Sequence, residues 1–206
     1  MGTRTLLISL FIFASHYSFG QYSKPVEYNG LYFGFGLGTS FSDNKNNVLS
    51  HPALFDLLLD ARGLMGNLKN SLAIGICGSF YAKTKEPLDI YYSDTVVSIT
   101  KYQWAQWGLE YGREIWKNDR LRLDLIAGFG HGGQFYYNDD KGNEVKKSSF
   151  HFSTGFSFLY PLSRSRYLQL KTQYNIANYN LNDNLNPDFS GNYIITKLII
   201  ARGRRN

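Results

Sequence analysis

The chain has 206 residues, of which 43% are hydrophobic and 17% aromatic, and it carries a formal net charge of +6. Its mean hydropathy is nevertheless −0.30, and its aromatic and β-branched content excludes a disordered chain. Beyond the N-terminal segment, no stretch reaches the ~18 consecutive apolar residues of a transmembrane helix.

Residues 1–20 have the organisation of a signal peptide. Arg4 supplies the positive charge, and residues 6–14 form an apolar core that is too short for a membrane-spanning helix, which needs ~20 residues. The sole cysteine, Cys77, excludes an intrachain disulfide, and Gln21 rather than a cysteine directly follows the predicted cleavage point, where a lipid anchor would need one. We therefore predict a signal peptide over 1–20 and one exported domain over 21–206.

The first predicted strand, residues 31–41, alternates large apolar residues with small or polar ones. Phe33, Phe35 and Leu37 share one parity, and Gly34 and Gly36 share the other. Because a strand sends successive side chains to opposite faces, one face is apolar and the other is small. The apolar face would meet lipid in a membrane barrel or a second sheet in a soluble sandwich.

Seven further stretches show a similar alternation, although the last is apolar on both parities. Each reaches the ~9–11 residues of a tilted transmembrane strand, whereas soluble strands more often have ~5–6. We expect Pro161 to end the sixth strand, because proline lacks a ladder donor. The stretches are residues 53–65, 71–83, 99–116, 121–136, 148–160, 167–177 and 192–202.

The connections between these stretches alternate between long and short. This asymmetry is typical of outer-membrane barrels, which have long extracellular loops and short periplasmic turns. We predict an all-β, eight-stranded antiparallel up-and-down transmembrane β-barrel in the cell outer membrane, with both termini in the periplasm. Pairing of the last strand with the first would leave no free edge. The predicted extracellular loops lie near residues 42–52, 84–98, 137–147 and 178–191.

Aromatic residues near the predicted strand ends suggest interfacial girdles. One set lies toward the predicted periplasmic side and the other toward the predicted cell surface. The first set is Tyr28, Tyr32, Trp116, Tyr160 and Tyr167, and the second is Phe41, Phe55, Phe135, Phe150 and Tyr193.

Over residues 31–202 the glycine–aromatic strands, such as residues 33–38, resemble the outer-membrane β-barrels of the Bacteroidota and are similar to the OmpA and OmpX barrels. Gln21, directly after the predicted cleavage point, also resembles exported proteins of that phylum. The resemblance implies an outer-membrane, porin-like fold. The chain departs from it at the C-terminus, where residues 202–206 lack the terminal aromatic residue of such barrels.

Charged residues on the inward parity define a candidate lumen network. The interior of an eight-stranded barrel is just wide enough to be filled by side chains. Charges of both signs there must pair or be hydrated, so we predict a structural salt-bridge network, with a narrow wet channel as the alternative. The predicted inward residues are Asp56, Asp60, Arg62, Lys83, Glu110, Glu114, Arg122, Asp124, Lys171 and Lys197.

His151 and Ser153 have the spacing of the His-x-Ser pair of outer-membrane lipid A deacylases, which this segment resembles. In those enzymes the pair faces lipid, whereas the phase of Phe150 and Phe152 turns His151 and Ser153 inward here. A nucleophile also needs its base within hydrogen-bond reach, and no Glu in the next strand completes a triad. We therefore predict no catalytic residue and keep these two as the alternative.

No other motif indicates a cofactor, a metal site or a nucleic-acid partner. No histidine pair has metal-ligand spacing, and the glycine-rich residues 128–133 lie within a strand pattern without a following helix. We predict a non-enzymatic barrel with a structural or surface-interaction role through its extracellular loops. Its expected partners are outer-membrane lipid, lipopolysaccharide, and a surface or periplasmic protein. The alternatives are a lipid A-modifying acyl hydrolase and a narrow channel or secretion accessory.

Overall fold

The computed structural model describes residues 29–42, 53–65, 68–92, 95–137, 144–163, 165–177 and 192–204. The predicted signal peptide lies outside these residues. The described part of the chain contains no helix long and apolar enough to cross a membrane. Its strands are β1 Gly30–Ser42, β2 Ala53–Met65, β3 Leu68–Ser79, β4 Ala82–Tyr92, β5 Thr95–Lys117, β6 Arg122–Tyr137, β7 Glu144–Ser163, β8 Arg166–Ala177 and β9 Tyr193–Arg204.

Eight of these strands close into an antiparallel barrel. The first and last strands pair, with Phe35 opposite Ile200. The ring is completed between β3 and β5, where Ile74 lies opposite Leu109. The prediction of a closed eight-stranded antiparallel barrel is confirmed. The remaining strand, β4, pairs with β5 outside the ring.

The alternation of side chains turns the apolar parity outward and the polar parity inward. Phe33 is 66% exposed, whereas its neighbour Tyr32 is 2% exposed. This outer surface, the apolar belt, is the inverse of a soluble protein's surface, which rarely exposes an apolar patch of more than a few hundred Å². Its members include Leu31, Phe33, Phe35, Leu37, Leu57, Leu72, Ile74, Ile76, Trp107, Leu109, Phe129, Phe152, Phe156, Ile176 and Ile200.

The two ends of the barrel differ in the length of their connections. We call one the short-turn end, where β2 joins β3, β5 joins β6, β7 joins β8, β1 begins and β9 ends. At the opposite, long-loop end, the connections 43–52, 138–143 and 178–192 join neighbouring strands of the barrel.

The predicted loop 84–98 is wrong, because most of these residues form a two-stranded arm. The predicted third strand breaks between Ser79 and Ala82, and β4 then pairs with the first part of β5 from Ala82 opposite Tyr102 to Tyr92 opposite Thr95. A register shift between Lys83 and Leu88 accommodates Pro87, the residue that most favours a loop in the sequence. The arm raises one side of the long-loop end.

The expected stop at Pro161 is also wrong. The predicted sixth strand corresponds to β7 of the structure. It continues through Pro161, which lies opposite Tyr167, to Ser163. Its pairing with β6 ends at Leu159 opposite Arg122. Beyond Leu159 this strand has a neighbour on one side, so the missing donor of Pro161 removes no bond toward β6.

Three residues assigned to the aromatic girdles lie inside the barrel. Tyr32, Tyr167 and Tyr193 are 2%, 0% and 7% exposed. Each has the inward parity of its strand. This parity, rather than closeness to the strand end, decides whether the ring points into the barrel or outward. Trp116, Phe41 and Phe150 are exposed on the outside, and Tyr28 lies outside the described residues.

Three glycines within β1, Gly34, Gly36 and Gly38, make room for β9. A Cβ atom on Gly36 would lie 2.7 Å from Cγ1 of Ile199 and 2.9 Å from the carbonyl oxygen of Leu198. On the inward parity of β3, a Cβ atom on Gly75 would meet nothing closer than Cδ1 of Leu58, at 3.7 Å. The pairing of β1 with β9 therefore depends on small inward residues.

We predict that Gly36→Ala lowers the free energy of unfolding by about 1–3 kcal/mol, the usual cost of overpacking, because a backbone atom cannot yield to the new methyl group. Gly75→Ala is the matched control and should behave like the wild type. Urea titration of the refolded barrel in detergent micelles measures both. Equal midpoints for Gly36→Ala and Gly75→Ala would contradict this view of the β1–β9 contact.

Candidate functional site

The centre of the lumen contains an ion pair between β9 and β2. Nζ of Lys197 lies 2.6 Å from Oδ1 of Asp56, and both side chains are almost fully buried. Between these strands runs β1, in which Gly38 lies opposite Lys197 and Gly36 lies opposite Asp56. Because these glycines have no side chain, the lysine passes over β1 to reach its partner.

A second ion pair joins strands from different sides of the ring. Nζ of Lys171 on β8 lies 2.6 Å from Oε2 of Glu110 on β5. Nε2 of Gln173 donates to Oε1 of the same carboxylate at 3.1 Å and to Oγ of Ser153 at 3.4 Å. Both carboxylate oxygens are thus bonded, and the group ties three strands together across the lumen.

Toward the short-turn end, two arginines and three carboxylates form a larger cluster. Arg62 contacts Asp60 at 2.5 Å and Asp124 at 2.7 Å, so it joins β2 to β6. Arg122 contacts the other oxygen of Asp124 at 2.7 Å. Its Nε also lies 2.9 Å from Glu114, an ion pair without hydrogen-bond alignment. Ion pairs and hydrogen bonds to the partner are needed to compensate for the hydration that buried charges lose.

The same cluster is closed by an aromatic ring. The hydroxyl of Tyr167 donates to Oδ2 of Asp60 at 2.8 Å, and the guanidinium of Arg62 lies 5.2 Å from the centre of the tyrosine ring. Tyr32 packs against Tyr167 with ring centres 5.1 Å apart. Arg62 is thus held by two carboxylates and one aromatic face.

The long-loop end of the lumen is filled by a buried apolar and aromatic cluster. Trp104 packs edge-on against Tyr193 with ring centres 5.7 Å apart, and the hydroxyl of Tyr193 donates to Gln106 at 2.8 Å. We call this cluster the aromatic cap. Its members are Leu54, Cys77, Ile99, Tyr102, Trp104, Tyr136, Ala177, Tyr193 and Ile195.

The space left inside the barrel is small. One cavity, of about 10 Å³, is lined by Asp56, His151 and Lys197 among others. A second, also of about 10 Å³, is lined by Asp60, Arg62 and other residues. Each volume is close to the minimum needed for one water molecule. Glu110 lines both cavities and is held between them by Lys171.

His151 and Ser153 are buried in the lumen, at 3% and 8% exposure. The imidazole fits over Gly130, where a Cβ atom would lie 2.6 Å from its Cε1. Nδ1 of His151 has no hydrogen-bond partner among the described residues, and Ser153 is bonded by Gln173 instead. The described structure therefore does not assemble these two residues into a nucleophile–base pair, and both are shielded from the outer surface.

The structure places nine of the predicted lumen charges inside and one outside. Lys83 is exposed, because β4 has left the ring before this residue and pairs in the arm. The parity of Glu110, continued along β5, would have located Trp104 and Tyr102 in the lumen. The nine inward residues are Asp56, Asp60, Arg62, Glu110, Glu114, Arg122, Asp124, Lys171 and Lys197.

No protein-family model matches the sequence, and no curated protein matches it. Among solved structures, Neisserial surface protein A aligns with a TM-score of 0.52 and 8% identity, covering 84% of this chain and 96% of that one. The N-terminal β-barrel domain of Pseudomonas aeruginosa OprF gives 0.48 and 11%, covering 85% and 98%. Ail, the attachment invasion locus protein of Yersinia pestis, gives 0.47 and 12%, covering 85% and 99%. At this identity, the likeness to the Neisserial protein shows a shared barrel fold.

We predict that Lys197→Met lowers the free energy of unfolding by about 3–5 kcal/mol, because it leaves the Asp56 carboxylate buried without its cation. The double variant Asp56→Leu with Lys197→Met removes both charges and should recover most of the loss. Urea midpoints in micelles measure these changes, with the exposed Lys117→Met as the matched control. A single variant as stable as the wild type would contradict the assigned pair.

Proposed function

We propose that the chain is a non-enzymatic outer-membrane β-barrel with a structural role, and that it meets partners at the cell surface through its long-loop end. The observation that carries this proposal is the inverted surface. The apolar belt faces outward around a closed sheet while charged side chains fill the interior, the arrangement that spans a bilayer without leaving unpaired backbone groups.

The filled lumen supports a structural role over a channel. Cross-strand ion pairs, such as Lys171 with Glu110 and Arg62 with Asp124, hold the strands together and occupy the axis. The aromatic cap fills the long-loop end of the lumen. A path for ions would have to break buried ion pairs, at a cost of several kcal/mol for each.

The arm supports a surface-interaction role. It extends β4 and β5 beyond the ring. At its base, Tyr81, which directly precedes β4, packs edge-on against Tyr137 at the end of β6 with ring centres 5.0 Å apart. Lys83 lies directly opposite Lys101 on the arm. A raised, hydrogen-bonded sheet that carries exposed charges of both signs, such as Lys83, Glu86 and Asp89, presents a more defined surface than a solvated loop.

The proposal includes the orientation and the export of the chain. Short turns on the periplasmic side are usual for such barrels, so the short-turn end and both termini would lie in the periplasm. Residues 1–20 would act as the export signal, leaving the domain 21–206. The glycine–aromatic strands support an origin in the Bacteroidota. Outer-membrane lipid and lipopolysaccharide would surround the apolar belt.

We expect the full chain to be recovered in the outer-membrane fraction of cells that express it. Unboiled protein should migrate differently from boiled protein on a denaturing gel, because a closed barrel resists the detergent until it is heated. External protease should cleave near the arm and leave the barrel intact. A periplasmic protein without a heat-dependent shift would overturn the proposal.

The hydrolase alternative is tested on purified, folded protein. Incubation with lipopolysaccharide should release no fatty acid detectable by mass spectrometry, since His151 and Ser153 face away from lipid. If the wild type releases fatty acid and Ser153→Ala does not, while both show the heat-dependent shift of a folded barrel, the chain is an acyl hydrolase and our proposal is wrong. The channel alternative predicts discrete conductance steps in a planar bilayer, where we expect none.

A further inference from the structure

Two arginines lie directly opposite each other on the outside of the barrel at the short-turn end. Arg166 of β8 pairs in register with Arg202 of β9. Both side chains are exposed. They share the outward parity with Leu168 and Ile200, the next outward pair along the same two strands. Directly opposed residues have Cβ atoms about 4.5–5.5 Å apart, and like charges in such a pair are destabilising.

The strands around these arginines offer them no nearby carboxylate, since the one acidic residue of β7, Glu144, lies at the far end of that strand from Arg166. Among the described residues, neither Arg166 nor Arg202 forms an ion pair. Their strands, β8 and β9, contain no Asp or Glu, and neither does β1, the next strand around the ring. This sector of the outer surface is thus positively charged without internal compensation.

The pair lies near the short-turn border of the apolar belt, with Phe33 of β1 opposite Arg202 and Leu31, the last outward residue of β1, one outward position further toward that end. On one side of it, Ile200 lies opposite Leu168 and Phe35. On the other side, the backbone N–H of Gly203 donates to the carbonyl oxygen of Ser165 at 2.9 Å, which fastens the end of β9 to the β7–β8 turn. The two arginines are therefore held on a hydrogen-bonded sheet close to the short-turn border of the belt.

We propose that Arg166 and Arg202 together bind the phosphate of an anionic phospholipid in the leaflet that surrounds the short-turn end. Two guanidinium groups can donate several parallel hydrogen bonds to one phosphate, and the shared anion removes the repulsion between them. The lipid's acyl chains would lie along Leu168, Ile200 and Phe35. A free phosphate ion would gain the hydrogen bonds but not this apolar contact.

This inference rests on the proposed membrane location, and it adds a specific lipid site to it. Arginine on the lipid face is costly at the middle of a bilayer and costs little near an interface. The position at the border of the belt suits a headgroup contact. A basic residue near an anionic membrane surface contributes about 1 kcal/mol, which corresponds to about a fivefold change in affinity.

The test is native mass spectrometry of the full chain, purified in a maltoside detergent and titrated with short-chain phosphatidylglycerol or phosphatidylcholine. We expect the wild type to retain phosphatidylglycerol in preference to phosphatidylcholine. Arg166→Gln and Arg202→Gln should each weaken phosphatidylglycerol binding about fivefold. Arg166→Lys, which keeps the charge but loses the fork of donors, should give an intermediate loss.

Arg113→Gln is the matched control. Arg113 is also exposed, but it lies opposite Asn70 and Leu125 rather than another cation, so its removal should leave phosphatidylglycerol binding unchanged. An equal loss in this variant, no loss in the Arg166 and Arg202 variants, or equal retention of the two lipids would overturn the inference. Competition by inorganic phosphate as effective as that by phosphatidylglycerol would also overturn it.

Every sample is first checked for the heat-dependent shift on a gel, which separates the two proposals. A wild type without the shift would contradict the barrel in the membrane. A wild type with the shift but without selective phosphatidylglycerol binding would contradict the arginine site alone.

Discussion

Closure of the sheet is the constraint on which the rest of this structure depends. In a bilayer an open edge would leave unpaired backbone donors and acceptors, each costing several kcal/mol. The pairings of β1 with β9 and of β3 with β5 remove both edges. Closure with eight strands also fixes a narrow interior. Every inward side chain must then fit, and every inward charge must find a partner.

The glycines of β1 and the lumen charges follow from this narrow interior. Gly36 and Gly38 leave space in β1 over which Lys197 reaches Asp56, and Gly130 leaves space for His151. Glycines on the inward faces thus leave the space that the long polar and charged side chains of other strands occupy. The ion pairs do not by themselves make the barrel more stable than an apolar filling would, but those between distant strands, such as Lys171 with Glu110 and Arg62 with Asp124, specify which strands face one another across the lumen.

Strand parity alone predicts most of the fold and the site. The inward positions of Asp60, Arg62 and Lys171 follow from the period-2 pattern of their own strands. The partners of these charges do not follow from it, since Glu110 meets Lys171 across the barrel and sequence distance carries no information on that. The arm also escapes prediction, because Pro87 and the charges around it have the composition of a loop.

The central claim is that, between Tyr102 and Glu114, the odd-numbered face of β5 meets lipid and the even-numbered face meets the lumen. Trp107 is 55% exposed in the apolar belt, whereas Trp104, three residues earlier, is 5% exposed in the aromatic cap. In vesicles of lipid brominated in the acyl chains, a variant that keeps Trp107 as its single tryptophan should lose most of its fluorescence. A variant that keeps Trp104 alone should retain it. Equal quenching of the two, or quenching of Trp104 alone, would contradict the account.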